Sequence, residues 1–203
     1  MKTEHTVVFL PATARDNITY GEIPEKIPAF PDIAVRQVVY PRLVWYNRAV
    51  QDEAIAQIRA WNIQSVILVG FSKSGLGAWN IARRIPERVS GTIIFDAPMA
   101  RESLPPWGTA PFYADDAAWQ KDLPLRTCAQ FQEAVHPHHR LVLISGTGFH
   151  DEMCTLSGRL IKIGLPHAFL PRPELRHHWN SGWIEEGLEW YEICRTISRI
   201  GII

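Results

Sequence analysis

The chain has 203 residues, enough for one domain with a sizeable core. Apolar residues make up 46% and charged residues 21%, and 21 basic side chains balance 21 acidic ones, so the formal charge is zero. That balance removes the electrostatic reason to expect nucleic acid or an anionic membrane as a partner, and no apolar run approaches the roughly 18 residues of a membrane span. Cys128, Cys154 and Cys194 are odd in number and lack metal-ligand spacing, which suits free thiols in a reducing compartment. The apolar run at the N-terminus is too short for a signal peptide and Glu4 interrupts it, so the expected location is cytoplasmic.

Short apolar runs alternate with longer helical patterns, which predicts a parallel sheet with crossover helices in a single domain, 1–203. Thr6–Leu10 is the first strand, stopped by Pro11; 33–40 holds the second, stopped by Pro41. The proline-rich stretch Asn17–Pro31 between them reads as a surface loop. From Gln51 to Trp61, apolar side chains at 54, 55, 58 and 61 mark a helix face. Val66–Val69 is an apolar, β-branched run suited to a strand buried on both faces. It breaks at Gly70, passes through Phe71-Ser72-Lys73-Ser74-Gly75, and continues in helical spacing to about Arg84. Beyond Pro86 come a strand at Gly91–Phe95, another at Leu141–Ser145, a helix near Glu152–Ile163, a short last strand at His167–Leu170 and an amphipathic helix at Trp183–Arg195. The segment 98–124 departs from this alternation. It is rich in proline and carries Trp107, Phe112, Tyr113 and Trp119. Such an insertion between core strands is a candidate lid or substrate-pocket wall, with Trp107, Phe112 and Tyr113 lining it; the alternative is a hydrophobic loop plugging the end of the sheet.

The chemistry lies in the turn around Ser72. A hydroxyl between small residues on a strand-to-helix bend is how a serine nucleophile is held out of a sheet, and Gly70 and Ser74 leave room where strand and helix would collide. The stretch resembles the nucleophile elbow of the α/β-hydrolase superfamily, in the form Gly-x-Ser-x-Ser instead of Gly-x-Ser-x-Gly, and the resemblance runs from Thr6 to Tyr191. It implies an α/β fold of about six mostly parallel strands with helices on both faces, opening at what the superfamily counts as its third strand. It also implies a serine hydrolase that cleaves a small-molecule acyl ester or thioester through an acyl-enzyme on Ser72, with no cofactor and no metal. A non-catalytic binding protein on the same fold, or an acyltransferase, lyase or peptidase, are the alternatives.

A serine hydroxyl needs a base, usually a histidine held by a carboxylate, and the superfamily supplies them in the order serine, acid, histidine. The resemblance selects Asp151, in the loop after Leu141–Ser145, as the acid. Asp96, directly after Gly91–Phe95, is the second candidate, and Glu152 the third. The base is His177 or His178, and the His-x-Trp pattern with Trp179 selects His177. The oxyanion hole draws one backbone N–H from Lys73 and another from Ala12 or Thr13, since Pro11 has none to give. The Lys73 side chain either attracts an acidic substrate group or projects into solvent, the plainer reading. His136, His138 and His139 read as solvated loop histidines, because no carboxylate or cysteine completes a tetrahedral metal set.

Overall fold

Strands form where the sequence is continuously apolar and β-branched, because a parallel sheet covered on both faces has no polar side to show. The computed structural model describes residues 5–11, 23–40 and 44–199. Its strands are β1 (His5–Leu10), β2 (Ile33–Gln37), β3 (Val66–Phe71), β4 (Val89–Phe95), β5 (Arg140–Ile144) and β6 (Ala168–Leu170). Its helices are α1 (Arg48–Ala60), α2 (Lys73–Arg84), α3 (Asp116–Gln120), α4 (Pro124–Ala134), α5 (His150–Lys162) and α6 (Trp183–Arg199). The strands join in one sheet of order β2-β1-β3-β4-β5-β6, every pairing parallel.

Alternation along each strand sends side chains to two separate cores. Val8, Leu10, Leu68, Ile94 and Leu143 meet the apolar stripes of α1, α2, α4 and α5 on one face. Val7, Phe9, Ile67, Val69, Phe95 and Ile144 meet Trp183, Leu188 and Tyr191 of α6 on the other. Trp79 of α2 stacks on Phe131 of α4 with ring centroids 3.9 Å apart, joining two helices of the first layer.

The predicted elements are present with small shifts at their ends; β2 stops at Gln37, although the Val38 N–H still donates to the Phe9 carbonyl at 3.1 Å. Helix α4 has no counterpart in the sequence reading. Its signals are modest: Pro124 at the first position, and Cys128 and Phe131 three residues apart and buried. In 98–124 the aromatic side chains split between two environments. Tyr113 and Trp119 pack with Trp45, Leu76 and Leu123 in a third, smaller core, whereas Trp107 is 45% exposed. Both ends of the segment are tied down. The Glu152 carboxylate accepts the Ala100 and Arg101 N–H groups at 3.0 and 2.9 Å. At the far end, Tyr113 donates to the Asp122 carboxylate at 3.1 Å, and Arg83 of α2 lies 3.6 Å from the same carboxylate.

Candidate active site

The carboxyl ends of β3 to β6 deliver four chain segments to one rim of the sheet, where open α/β sheets bind ligands. The ladder continues one step past each strand: the Ser72 N–H donates to the Phe95 carbonyl, the Asp96 N–H to Ile144, and the Ser145 N–H to Leu170, at 2.9–3.1 Å. Ser72, Asp96 and the loop after β5 are thereby fixed by the sheet itself.

Ser72 sits between β3 and α2 with φ 54° and ψ −125°. Among the described residues only Asn62, Ser72 and Asp96 combine a side chain with positive φ. A non-glycine residue there carries strain of order 1–3 kcal/mol, and such strain gathers at functional sites. The bend is permitted by Gly70, where a Cβ would stand 2.4 Å from the Ser74 carbonyl oxygen. Ser74 occupies the position where the superfamily has its second glycine, and its hydroxyl is used internally: it accepts the Phe71 N–H and donates to the Phe71 carbonyl, both at 2.9 Å. Ser72, by contrast, is the N-cap of α2 and makes no capping bond with its side chain. Ser72 lines a pocket of about 300 Å³ together with Trp45, Lys73, Trp107, Gly148, Phe149 and His177.

His177 belongs to the loop between β6 and α6. Its Nδ1 lies 2.7 Å from Oδ2 of Asp96, its ring packs on Phe71 with centroids 4.5 Å apart, and its N–H donates to the Thr147 hydroxyl at 3.2 Å. Two residues on, Trp179 is buried between Phe9, Phe71 and Trp183. That anchor is the physical content of the His-x-Trp pattern. His178 faces its own loop, accepting the Asn180 N–H at Nδ1 at 3.1 Å.

The carboxylate beside His177 is therefore Asp96 and not Asp151. Asp96 is fully buried. Its Oδ1 accepts the N–H groups of Gly146 and Phe149 at 3.0 and 2.7 Å, and its Oδ2 accepts that of Gly148 at 2.9 Å. The Gly146–Phe149 loop, expected to present an acid, instead wraps one. Glycine is needed for that close approach: a Cβ on Gly146 would stand 2.6 Å from Asp96 Oδ2, and one on Gly148 2.8 Å from His177 Nδ1. Asp151 lies exposed in the first turn of α5, and Glu152, the third candidate, is engaged with Ala100 and Arg101.

Lys73 also departs from expectation. It is only 6% exposed, and its Nζ lies over the Trp45 ring 5.3 Å from the centroid instead of projecting into solvent. Burial lowers its pKa. Its backbone N–H, at the first position of α2, has no partner within the helix. Ala12 and Thr13 lie outside the described residues. Of the three aromatic side chains expected around the pocket, Trp107 lines it, while Tyr113 and Phe112 pack against the Trp45–Trp119 core. Trp45 and Phe149 line it without having been anticipated; the position of Phe149, directly after a glycine loop at a strand end, is the signal that could have found it.

Elsewhere, His139 is not solvated: its ring lies 3.2 Å from the Val89 carbonyl and 3.1 Å from the Thr92 hydroxyl. Among the described residues no three His, Cys, Asp or Glu side chains are grouped to hold a metal ion. Among the same residues no helix is long and apolar enough to cross a membrane.

Comparison with known proteins gives the site its context. The model of the Esterase family ("Putative esterase") matches residues 49–162, more than half of the chain. No curated protein matches the sequence. Among solved structures, dipeptidyl peptidase 4 of Porphyromonas gingivalis superposes with a TM-score of 0.68 at 10% identity, over 95% of this chain and 31% of that one. This chain thus spans about a third of that peptidase. An S-formylglutathione hydrolase from Agrobacterium tumefaciens superposes at 0.63 with 15% identity, covering 92% of this chain and 83% of that one. The fluorophosphonate-binding serine hydrolase F of Staphylococcus aureus also gives 0.63, at 13% identity, over 94% and 84%. Identities this low establish the shared fold, and the family match establishes membership. The chain belongs to the Esterase family and carries the α/β-hydrolase fold.

Proposed function

We propose that this esterase cleaves a carboxylic ester or thioester through an acyl-enzyme on Ser72, with His177 as the base and Asp96 as the acid. The observation that carries the reading is the meeting of three residues far apart in sequence. A strained, uncapped serine and a histidine line the same pocket, and the histidine's other nitrogen is held at 2.7 Å by a buried carboxylate.

In the proposed sequence, His177 Nε2 takes the proton from the Ser72 hydroxyl as Oγ bonds to the carbonyl carbon and the carbonyl π pair moves to oxygen. Asp96 accepts the Nδ1–H bond and steadies the ring as it becomes cationic. The Lys73 N–H, at the positive end of α2, receives the oxyanion. The second donor is assigned to Ala12 or Thr13, in the segment after β1. As the tetrahedral adduct collapses, the carbon–oxygen or carbon–sulfur bond of the leaving group breaks and the group takes the proton from His177. Water, deprotonated by the same ring, then attacks the acyl carbon and returns Ser72. Trp107 closes the outer wall of the pocket, giving 98–124 the role of a wall tied at both ends. Cysteines outside any disulfide fit the cytoplasmic location expected from the sequence.

Labelling with a fluorophosphonate tests the assignment. The wild-type protein is expected to label, and Ser72→Ala and His177→Ala are expected not to. Undiminished labelling of Ser72→Ala would overturn it.

A further inference from the structure

A buried ammonium group costs free energy unless an opposite charge or hydrogen-bond acceptors receive it. Lys73 is 94% removed from solvent, yet among the described residues no carboxylate pairs with it; its one recorded partner is the face of Trp45. Among the described residues, the carboxylates bonded beside the pocket walls are already committed. Asp96 is held by three N–H groups and His177, and Glu152 by Ala100 and Arg101. Lys73 nevertheless lines the pocket beside Ser72, where an incoming molecule would meet it.

Apart from Ser72, Gly148 and His177, the remaining walls are aromatic. Trp45, Trp107 and Phe149 cover the cavity, whose volume of about 300 Å³ is at the small end of ligand sites. An aromatic-walled pocket holding a cation that no carboxylate pairs among the described residues favours one chemistry: an apolar body carrying one negative group. Taking Ser72 as the nucleophile, we infer that the substrate is an ester bearing a carboxylate, and that Lys73 Nζ receives this carboxylate while the aromatic side chains cover the apolar remainder. The lowered proton affinity of Lys73 agrees, since an arriving carboxylate restores the charged form that burial disfavours.

Two substrates of equal length and equal leaving group separate the possibilities: mono-p-nitrophenyl adipate, which ends in a carboxylate, and p-nitrophenyl hexanoate, which ends in a methyl group. The wild-type enzyme is expected to show kcat/KM at least tenfold higher for the adipate half-ester. Lys73→Met is expected to bring the ratio of the two values close to one, and Lys73→Arg to restore most of it. Calorimetry on Ser72→Ala protein gives a readout independent of catalysis: benzoate should bind at least tenfold tighter than benzamide, and adding Lys73→Met should abolish the difference. Equal wild-type rates on the two esters, or equal binding of benzoate and benzamide, overturns the inference. If neither ester is turned over, the Ser72 reading fails instead, and the benzoate comparison alone decides the role of Lys73.

Discussion

Replacing Asp96 by asparagine removes one acceptor oxygen from a site that uses both. In the native arrangement Oδ1 takes two N–H groups, from Gly146 and Phe149, while Oδ2 takes the Gly148 N–H and faces His177 Nδ1. An asparagine that keeps its oxygen at the Oδ1 position turns an NH2 group toward Gly148 and His177, so that donor opposes donor. The ring then shifts its proton to Nε2 and can no longer accept one from Ser72. Tautomer inversion of this kind costs on the order of 10⁴ in kcat in serine triads, and a loss of roughly 10³–10⁴ is expected here. The Gly148 N–H also loses its acceptor, which costs about 1–3 kcal/mol and lowers the melting temperature by a few degrees in a chain of this size. Asp151→Asn, at an exposed position on α5, should leave kcat within about twofold and stability within about 0.5 kcal/mol. Hydrolysis of p-nitrophenyl acetate and urea unfolding, run on both variants, measure the two effects. Collapse of activity in Asp151→Asn, with Asp96→Asn within tenfold of wild type, would refute the reasoning.

Two further outcomes follow from the geometry. In Gly148→Ala the new Cβ falls 2.8 Å from His177 Nδ1 and 2.9 Å from Asp96 Oδ2, so the pair must move apart by several tenths of an ångström; kcat should drop roughly 10–100-fold, with a small change in melting temperature, read by kinetics and thermal unfolding together. His139 has its pKa pushed from 6.5 down to about 4 by burial, so the unfolded chain binds the extra proton first as pH falls. The corresponding stability is complete above pH 6.5 and is lost as pH falls toward 4, amounting to about 2 kcal/mol between pH 7 and 5. Denaturant unfolding at the two pH values should show that difference in the wild type and a reduced one in His139→Gln.

The proposed nucleophile and base stand out in the sequence because their signals are local. A buried strand, a tight bend and a helical pattern within twenty residues define Ser72, and a tryptophan two positions away anchors His177. The carboxylate that pairs with His177 is not legible in the same way. Asp96-Ala-Pro has the composition of a turn, and what distinguishes it is a set of N–H donors some fifty residues downstream, which only the pairing of β4 with β5 brings near. Asp151 looked suitable because it follows a glycine loop at a strand end; the loop's glycines serve to clear space around Asp96. The aromatic side chains of 98–124 were equally ambiguous. Their inward or outward direction depends on Trp45, a residue from the segment before α1 that hydrogen bonds from its indole N–H to the Trp107 carbonyl at 3.0 Å. Lys73 follows the same logic, since exposure at the first turn of α2 is decided by the neighbouring aromatic wall.

Covalent catalysis on Ser72 is most directly tested by quenching the enzyme in acid during turnover of p-nitrophenyl acetate and mapping the acyl group by peptide mass spectrometry. The account predicts one acetyl group per chain, on the peptide containing Ser72 and at that residue, absent from Ser72→Ala. Steady hydrolysis with no acylated peptide in the wild type, or an acetyl group that turns over on another residue, would contradict it.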